Sequence, residues 1–310
     1  IKMLEGKGRI IIQSKYFVDM IRKMPSENID FELEDNLKIK ISTPNNQYRL
    51  NCYNPSDYPN INMEKSDDAI NIKSEVLREI INQTSYALST QEVRPLLTGI
   101  NLKINGDILE CICTDSYRLS KKTVKLKDSI NSNINIVIPG KSVNELVYIL
   151  KDEGNVEIDL FKNKVLFHYN NILFQTALLN GTYPDTSNYI PKDFNYMINL
   201  NLKEFYSAID RASTIMVSKD KNIIKMVIDN KKMTLFAASS DSKSKEELTI
   251  DSNNKEKLEI SYSSKYMLDA LKVLDSENII LLINGDDKPI IINSVDDDTI
   301  IELILPIKTY

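Results

Sequence analysis

The chain has 310 residues, of which 42% are hydrophobic, and its formal net charge at pH 7 is −5. The acidic balance excludes a simple nucleic-acid binder that relies on a basic patch, and no apolar run approaches the roughly 18 residues of a membrane span. Three cysteines form neither a disulfide framework nor a zinc pattern, and the start does not resemble a signal peptide. These features favour a reducing cytoplasm.

The predicted elements alternate between amphipathic helices and short strands along the whole chain. Runs rich in β-branched residues predict strands, for example at residues 38–42, 165–169, 225–228 and 290–293. Turn signals at residues 105–107, 180–181 and 284–286 are expected to separate strands. The predicted helices are residues 14–24, 73–88, 140–152, 201–215 and 264–274. The pattern indicates an α+β protein.

One pattern occurs three times at a spacing of about 125 residues. The matching segments are residues 10–21, 136–147 and 258–271. Each contains a lysine at the start of a helix-like run, and these lysines, Lys15, Lys141 and Lys265, lie 126 and 124 residues apart. A chain that repeats one domain three times is built as an arc or a ring and not around one catalytic cleft.

The repeat predicts three domains, at residues 1–66, 67–192 and 193–310. Each complete repeat contains two helix-plus-strands blocks, which predicts two helices on one face of a curved antiparallel sheet. Three repeats of about 125 residues would need about 375 residues. We therefore expect that roughly half of the first repeat is missing from this sequence.

The segment Gly140-Lys141-Ser142 is the main argument for an enzyme, because it resembles part of a phosphate-binding loop. That loop needs a further glycine five residues before its second glycine, and Asn135 stands there. The same place in the other repeats carries Ser14-Lys15 and Ser264-Lys265. A helix start is the better interpretation, and a nucleotide-binding ATPase is a weak alternative.

Three other motifs have structural interpretations that outweigh catalytic ones. His168 is the only histidine and has no fixed partners in the sequence, so a structural role is favoured. The run at residues 296–298, three aspartates, is expected to be a solvated hairpin tip. Residues 114–116, Thr-Asp-Ser, recur at 240–242 as Ser-Asp-Ser, which predicts a turn capped by side chains. No catalytic constellation and no metal site is expected.

Several segments together resemble one known family. Residues 91–99 read Gln-Glu-Val-Arg-Pro-Leu-Leu-Thr-Gly, residues 114–119 read Thr-Asp-Ser-Tyr-Arg-Leu, and the chain ends in Leu-Pro-Ile-Lys-Thr-Tyr. Together with Tyr-Pro-Asp at 183–185, they resemble the sliding clamp of bacterial DNA polymerase III, the β subunit, and its Gram-positive-type members in particular. The resemblance covers the whole chain in order and places residue 1 inside the first of three domains.

The resemblance implies a head-to-tail homodimer that forms a ring of six similar domains around duplex DNA, with helices lining the bore. Such a ring gives the replicative polymerase processivity, without enzymatic activity, cofactor, metal or membrane contact of its own. A closed ring cannot leave DNA sideways, so an acidic protein can hold DNA without tight contacts. The implied partners are DNA, a second copy, the polymerase, the clamp loader and repair proteins, in the cytoplasm at replication sites on the nucleoid. A β-rich scaffold without topological DNA binding is the alternative.

The family's partner proteins dock a short peptide, built on Gln, Leu and Phe, between the second and third domains. The resemblance assigns the wall of this pocket to Arg94, Leu97, Thr114, Ser116, Tyr117, Arg118, Leu119, Pro184, Tyr189, Leu303, Leu305, Pro306 and Ile307. Two departures from the family pattern lie here: Tyr117 replaces a frequent His, and Lys308 replaces a frequent Arg. Because Lys cannot form a bidentate fork, a carboxylate contact at the rim is expected to be weaker.

The resemblance also assigns residues that contact DNA and residues that form the dimer interface. Gln91 and Lys141 correspond to family positions at the bore or its rim, and the repeat extends this role to Lys15 and Lys265. At the dimer interface the implied residues are Tyr48 and Leu50 of the first domain, which meet Thr214 and Ile215 of the third domain of the other copy.

Overall fold

The computed structural model divides the chain into two compact units, Ile1–Glu64 and Lys65–Tyr310. It describes residues 8–25, 28–35, 37–59, 63, 65–66, 69–151, 153–216, 222–253 and 256–308, with only the backbone described at 131 and 132. The second unit holds both the second and the third repeat of the sequence. No helix in the described ranges is long and apolar enough to cross a membrane.

The first unit packs one helix on a three-stranded antiparallel sheet of order β1-β2-β3. Its elements are α1 (Ser14–Lys23), β1 (Asp30–Glu34), β2 (Lys38–Thr43) and β3 (Asn46–Asn51). Ile39 and Ile41 of β2 are buried, and Phe17, Met20 and Ile21 of α1 pack on them. This spacing of three and four residues places the apolar side chains of α1 on one helix face.

The second repeat has two helices and six strands. They are β4 (Ile70–Lys73), α2 (Ser74–Thr84), β5 (Gly99–Thr114), β6 (Arg118–Pro139), α3 (Gly140–Ile149), β7 (Asn155–Leu160), β8 (Lys164–Tyr169) and β9 (Ile172–Ala177). Leu77 and Ile80 of α2, and Val143 and Leu146 of α3, are buried in one core with the strands. The two apolar helix faces therefore share a single hydrophobic core.

The third repeat follows the same plan with shorter strands. Its helices and strands are β10 (Tyr196–Asn201), α4 (Leu202–Ser213), β11 (Ile223–Asp229), β12 (Lys232–Ala238), β13 (Lys243–Thr249), β14 (Asp251–Ser252), β15 (Leu258–Ser263), α5 (Ser264–Lys272), β16 (Asn278–Ile283), β17 (Ile290–Ser294) and β18 (Ile300–Ile304). Phe205 and Ile209 of α4, and Met267 and Leu271 of α5, are buried in its core.

Antiparallel pairing between β18 and β6 joins the second and third repeats into one sheet of order β14-β10-β16-β17-β18-β6-β5. Two four-stranded sheets, β4-β7-β8-β9 and β13-β12-β11-β15, complete the unit. The predicted α+β class and all five predicted helices are confirmed. The predicted domain boundaries at 66 and 192 stay predictions.

Some bounds of the predicted elements were wrong. The helix predicted at 140–152 ends at Ile149, and two further differences have a clear physical reason. The helix predicted at 73–88 ends at Thr84, because the Thr84 hydroxyl donates to the carbonyl of Ile80 at 2.7 Å and a tight 3-10 turn, Ser85–Ala87, follows. The turn signal at 105–107 does not separate two strands but lies inside β5. The strand pairing shifts register there, on both sides of Gly106, whose φ is 60°.

Candidate docking site at the junction of the second and third repeats

The end of the chain lies beside a turn of the second repeat. In the pairing of β18 with β6, Leu303 faces Leu119 and Ile304 faces Arg118. The backbone N–H of Leu305 then donates to the carbonyl of Tyr117 at 2.9 Å, and that of Ile307 donates to Ser261 at 2.7 Å. Pocket residues that are far apart in sequence therefore meet at this junction.

Side chains cap the turn between β5 and β6, as predicted. One carboxylate oxygen of Asp115 accepts from the backbone N–H groups of Tyr117, at 2.9 Å, and Arg118, at 3.0 Å. The Thr114 hydroxyl accepts from the N–H of Ser116 at 3.1 Å and donates to the carbonyl of Arg118 at 2.6 Å. Ser116 has a φ of 79°, in the left-handed region, so the turn is strained and these hydrogen bonds hold it. Its shape therefore depends on Asp115 and Thr114.

Eight of the thirteen predicted wall residues reach the surface around this turn. Tyr117 is 60% exposed and Tyr189 is 54% exposed. The guanidinium of Arg94 donates to the hydroxyl of Ser116 at 2.9 Å, so a polar pair borders the apolar residues. The exposed residues are Arg94, Ser116, Tyr117, Pro184, Tyr189 and Leu305, and the half-buried residues are Pro306 and Ile307. They form what we call the docking surface.

The other five predicted wall residues, Leu97, Thr114, Arg118, Leu119 and Leu303, are buried. Leu97, Leu119 and Leu303 belong to an apolar cluster that crosses the junction and also contains Tyr183 and Ile291. These leucines lie beneath the docking surface and support it, instead of forming an accessible wall. The resemblance assigned exposed and buried residues to the pocket wall without separating the two groups.

Arg118 is buried between charges and rings of both repeats. Its Nε donates to Asp115 at 3.0 Å and its Nη1 donates to Asp269 of α5 at 2.7 Å. The guanidinium lies 4.5 Å from the ring centre of Tyr266 and 5.2 Å from that of Tyr86. Burial opposes its charge, but the bond to Asp269 and the two carboxylates raise the pKa of Arg118 above its usual value. Arg118 thus stays charged and joins the repeats.

Glu302 is fully buried at the middle of the junction. Its carboxyl group accepts from the hydroxyl of Ser120 at 2.9 Å and from the hydroxyl of Tyr86. Burial raises the pKa of Glu302 well above its ordinary value, although these bonds and Arg118 oppose the shift. Glu302 is therefore held more easily in its neutral form in the folded protein than in the unfolded chain.

Lys122 forms a third polar contact across the junction. Its buried ammonium lies 2.5 Å from Asp297 and 3.5 Å from Glu79. The aspartate run at 296–298 lies between β17 and β18, as a hairpin tip should. The predicted hairpin tip is confirmed, with Asp296 and Asp298 exposed, and Asp297 in addition pairs with a buried lysine. Arg118, Ser120 and Lys122, alternate residues of β6, all bond to side chains of the third repeat.

Sequence reasoning did not assign Tyr86, Tyr266, Asp269 or Glu302 to this region. The one available signal was Glu302, a carboxylate inside the apolar run 300–304. A buried carboxylate needs partners, so its position alone indicated a polar contact across the sheet.

The predicted DNA-facing lysines occupy the same place in three helices. Lys15, Lys141 and Lys265 are each the second residue of a helix and are exposed. Lys203, which the sequence did not assign to DNA, takes the same place in α4. The helix dipole disfavours a cation at this end, so stability does not explain the recurrence. Gln91 is exposed in the loop that precedes the 3-10 turn Pro95–Thr98.

The predicted interface residues lie in different units of the chain. Tyr48, in the edge strand β3, is 43% exposed, and Leu50 in the same strand packs partly on the core of the first unit. Thr214 and Ile215 directly follow α4, and Ile215 packs partly on the core of the third repeat.

The alternative motifs have structural roles. A side chain at Gly140 would come within 2.7 Å of Leu88 and of the carbonyl of Thr98, so close packing explains this glycine. The Nε2 atom of His168 lies 2.9 Å from Asp159, whose other oxygen accepts from the backbone N–H and hydroxyl of Ser66. This cluster is a structural contact of β7 and β8. In the described part of the chain, no three His, Cys, Asp or Glu side chains are grouped to hold a metal ion.

Comparison with known proteins decides the family. Family models of the DNA polymerase III beta subunit match in order, with the N-terminal domain at residues 1–62, the central domain at 71–185 and the C-terminal domain at 187–308. The beta sliding clamp of Staphylococcus epidermidis (strain ATCC 35984) is 37% identical over 306 residues, which cover 98% of this chain and 81% of that protein. The chain belongs to the DNA polymerase III beta sliding clamp family.

Solved structures of sliding clamps have the same fold. The DNA polymerase sliding clamp from Bacillus subtilis superimposes with a TM-score of 0.93 at 37% identity, over 97% of this chain and 80% of that one. The beta chain from Streptococcus pneumoniae gives a TM-score of 0.93 at 30% identity, over 99% of this chain and 82% of that one.

The chain is thus a sliding clamp of DNA polymerase III with three clamp domains, which confirms the predicted three-domain α+β architecture and the predicted function. It is a processivity subunit and not a catalytic one, so the ATPase and scaffold alternatives are set aside.

Proposed function

We propose that two copies of the chain close head to tail into a ring around duplex DNA, and that the docking surface binds the proteins that use the ring. The observation that supports the proposed ring is the pairing of β18 of the third repeat with β6 of the second. In the first repeat β3 corresponds to β18, and in the third repeat β13 corresponds to the start of β6. Both β3 and β13 are at the edges of their sheets.

The repeat relates the two pairs of strands. β18 is the third strand after α5, and β3 is the third strand after α1. β13 forms a hairpin with β12 in the way that the first residues of β6 form one with β5. Pairing of β3 with β13 of a second copy would repeat the junction already seen within the chain and would leave neither edge open.

The same equivalence supports the predicted interface residues. Within the chain, Tyr86, which follows α2, bonds to Glu302 of β18. Thr214 and Ile215 follow α4 in the same way, and Tyr48 and Leu50 lie on β3. We therefore assign Tyr48 and Leu50 to contacts with Thr214 and Ile215 of the other copy.

The docking surface suits a short peptide that contains Gln, Leu and Phe. Tyr117, Tyr189 and Leu305 have exposed apolar side chains, and Leu305 lies beside Tyr117 through its backbone hydrogen bond. Arg94 and Ser116 add a polar pair next to Tyr117. Apolar contacts with a few placed polar groups are typical of peptide sites. Tyr117 replaces the family's frequent His, and Lys308 is exposed at the end of the described chain.

The proposed partners follow from this surface and from the ring. They are the replicative polymerase, the clamp loader, and repair proteins with the peptide, at replication sites on the nucleoid. We also assign the chain to the Gram-positive type. Its 37% identity to the clamp from Bacillus subtilis, against 21% for a structure from Pseudomonas aeruginosa, supports this.

The recurring lysines are proposed to contact phosphates in the bore. We expect Lys141→Gln with Lys265→Gln to weaken binding of a short linear duplex at low salt by about fivefold to tenfold, because each lysine that no longer neutralises a phosphate reduces the salt-dependent part of the affinity. The slope of log affinity against log salt should become shallower by about 0.9 for each phosphate that is no longer neutralised. Fluorescence anisotropy with labelled duplex, at several salt concentrations, measures both quantities.

A matched control removes the same charge from hairpins. Lys162 and Lys231 are exposed and lie between β7 and β8 and between β11 and β12. Their double Gln variant should bind duplex like the unaltered protein. Equal weakening by both double variants would show that net charge, and not the helix positions, governs DNA contact.

A further inference from the structure

We propose that Asp269 of α5 is a positioning residue for the docking surface, through its ion pair with Arg118. The inference rests on the proposed docking function and adds a residue of the third repeat that touches no peptide itself. Three features of the junction support the inference. Arg118 is fixed in direction, Arg118 bonds to the turn that contains Tyr117, and a second aspartate at the same junction has no bond to that turn.

Arg118 is fixed in direction by four groups. Asp115 and Asp269 accept from different nitrogens, at 3.0 and 2.7 Å, and the rings of Tyr86 and Tyr266 lie at 5.2 and 4.5 Å. A planar guanidinium can satisfy two carboxylates and stack on rings at the same time, which an ammonium cannot. Two of these four groups, Asp269 and Tyr266, come from α5, so α5 supplies half of the contacts that hold the guanidinium in place.

The position of Arg118 is transmitted to the docking surface by Asp115. One oxygen of Asp115 pairs with Nε of Arg118, and the other caps the backbone N–H groups of Tyr117 and Arg118. The carbonyl of Tyr117 accepts from the N–H of Leu305. A shift of Arg118 therefore moves the carboxylate that holds the strained turn, and with it Tyr117 and Leu305.

Asp297 provides a matched comparison in the same junction. Asp269 pairs with Arg118 and Asp297 pairs with Lys122, and both aspartate side chains are 31% exposed. The two cations are both buried in β6 and lie four residues apart, about 13 Å along a strand. Lys122 has no bond to the capped turn, so Asp297 joins the repeats without reaching the docking surface.

The test compares Asp269→Asn with Asp297→Asn in the full chain. The probe is a short fluorescein-labelled peptide with Gln, Leu and Phe in that order, and anisotropy gives its dissociation constant. We expect Asp269→Asn to weaken peptide binding about tenfold, because the variant removes a charge-assisted bond that orients the site. Asp297→Asn should stay within about twofold of the unaltered protein, although both variants should lower the melting temperature.

Rescue separates positioning from general destabilisation. Asp269→Glu keeps the carboxylate and should recover most of the affinity, and it also serves if the Asn variant fails to fold. The inference is overturned if Asp269→Asn binds like the unaltered protein, if Asp297→Asn weakens binding equally, or if Asp269→Glu recovers nothing. Failure of the unaltered protein to bind the peptide would instead overturn the proposed docking function.

Discussion

Replacing Tyr48 and Leu50 together by alanine is expected to convert the proposed ring-shaped dimer into a monomer. Both side chains lie on the edge strand β3, and the repeat places them where β18 meets β6 within the chain. Removal of two apolar anchors at the centre of an interface should raise the dimer dissociation constant at least about a hundredfold. Sedimentation velocity at micromolar protein measures the outcome.

Two controls accompany the double variant. Leu50 also packs on the core of the first unit, so Tyr48→Ala alone, which leaves that packing intact, should still weaken the dimer about tenfold. Met197→Ala with Val295→Ala removes comparably exposed apolar side chains from the third repeat and should leave the dimer unchanged. A Tyr48 and Leu50 double variant that sediments as a dimer would contradict the proposed interface.

Arg118→Ala is expected to lower the free energy of unfolding by about 3–5 kcal/mol, the usual cost of breaking a buried ion pair from one side. The substitution leaves Asp115 and Asp269 without their shared cation and removes the stacking on Tyr86 and Tyr266. Urea unfolding followed by circular dichroism measures the change.

The matched control for Arg118 lies on the same strand. Lys125 of β6 pairs with Asp107 at 3.3 Å, but its side chain is 76% exposed. Exposed pairs contribute about 0–1 kcal/mol, so Lys125→Ala should be close to neutral. If Arg118→Ala lowered stability no more than Lys125→Ala does, the ion pair would not hold the repeats together.

Much of the fold could be predicted because it follows local patterns. The five helices follow from apolar residues three and four apart, and the capped turn at 114–118 follows from Asp115 and its neighbours. The bulge at Gly106 was misread as a turn between strands, because a glycine with positive φ serves both purposes.

The polar contacts of the junction could not be predicted in the same way. Arg118, Ser120 and Lys122 are polar residues at every second position of the strand. A strand whose polar face is exposed to solvent has the same pattern, so the sequence does not distinguish an exposed polar face from a buried one. Only the tertiary structure shows that this polar face is buried against the third repeat. The partner of Arg118, Asp269, lies 151 residues away in a helix, where no local pattern marks it.

The family resemblance is the source of the proposed docking surface, which no local pattern indicated. It also carried over Leu97, Leu119 and Leu303, which are buried here and support the surface from beneath. Residue types alone do not separate the two groups, because a leucine in a strand can serve either as surface or as core.

Loading onto nicked circular DNA shows whether the protein is held on DNA by encircling it. The clamp loader would place the protein on the circle, free protein would be removed by gel filtration, and a restriction enzyme would then cut the circle. A closed ring without tight contacts slides off the new ends, so we expect the protein to leave the DNA after cutting and to stay on uncut circles. Protein that remains on the linear DNA would rule out retention by encirclement and would show direct binding instead.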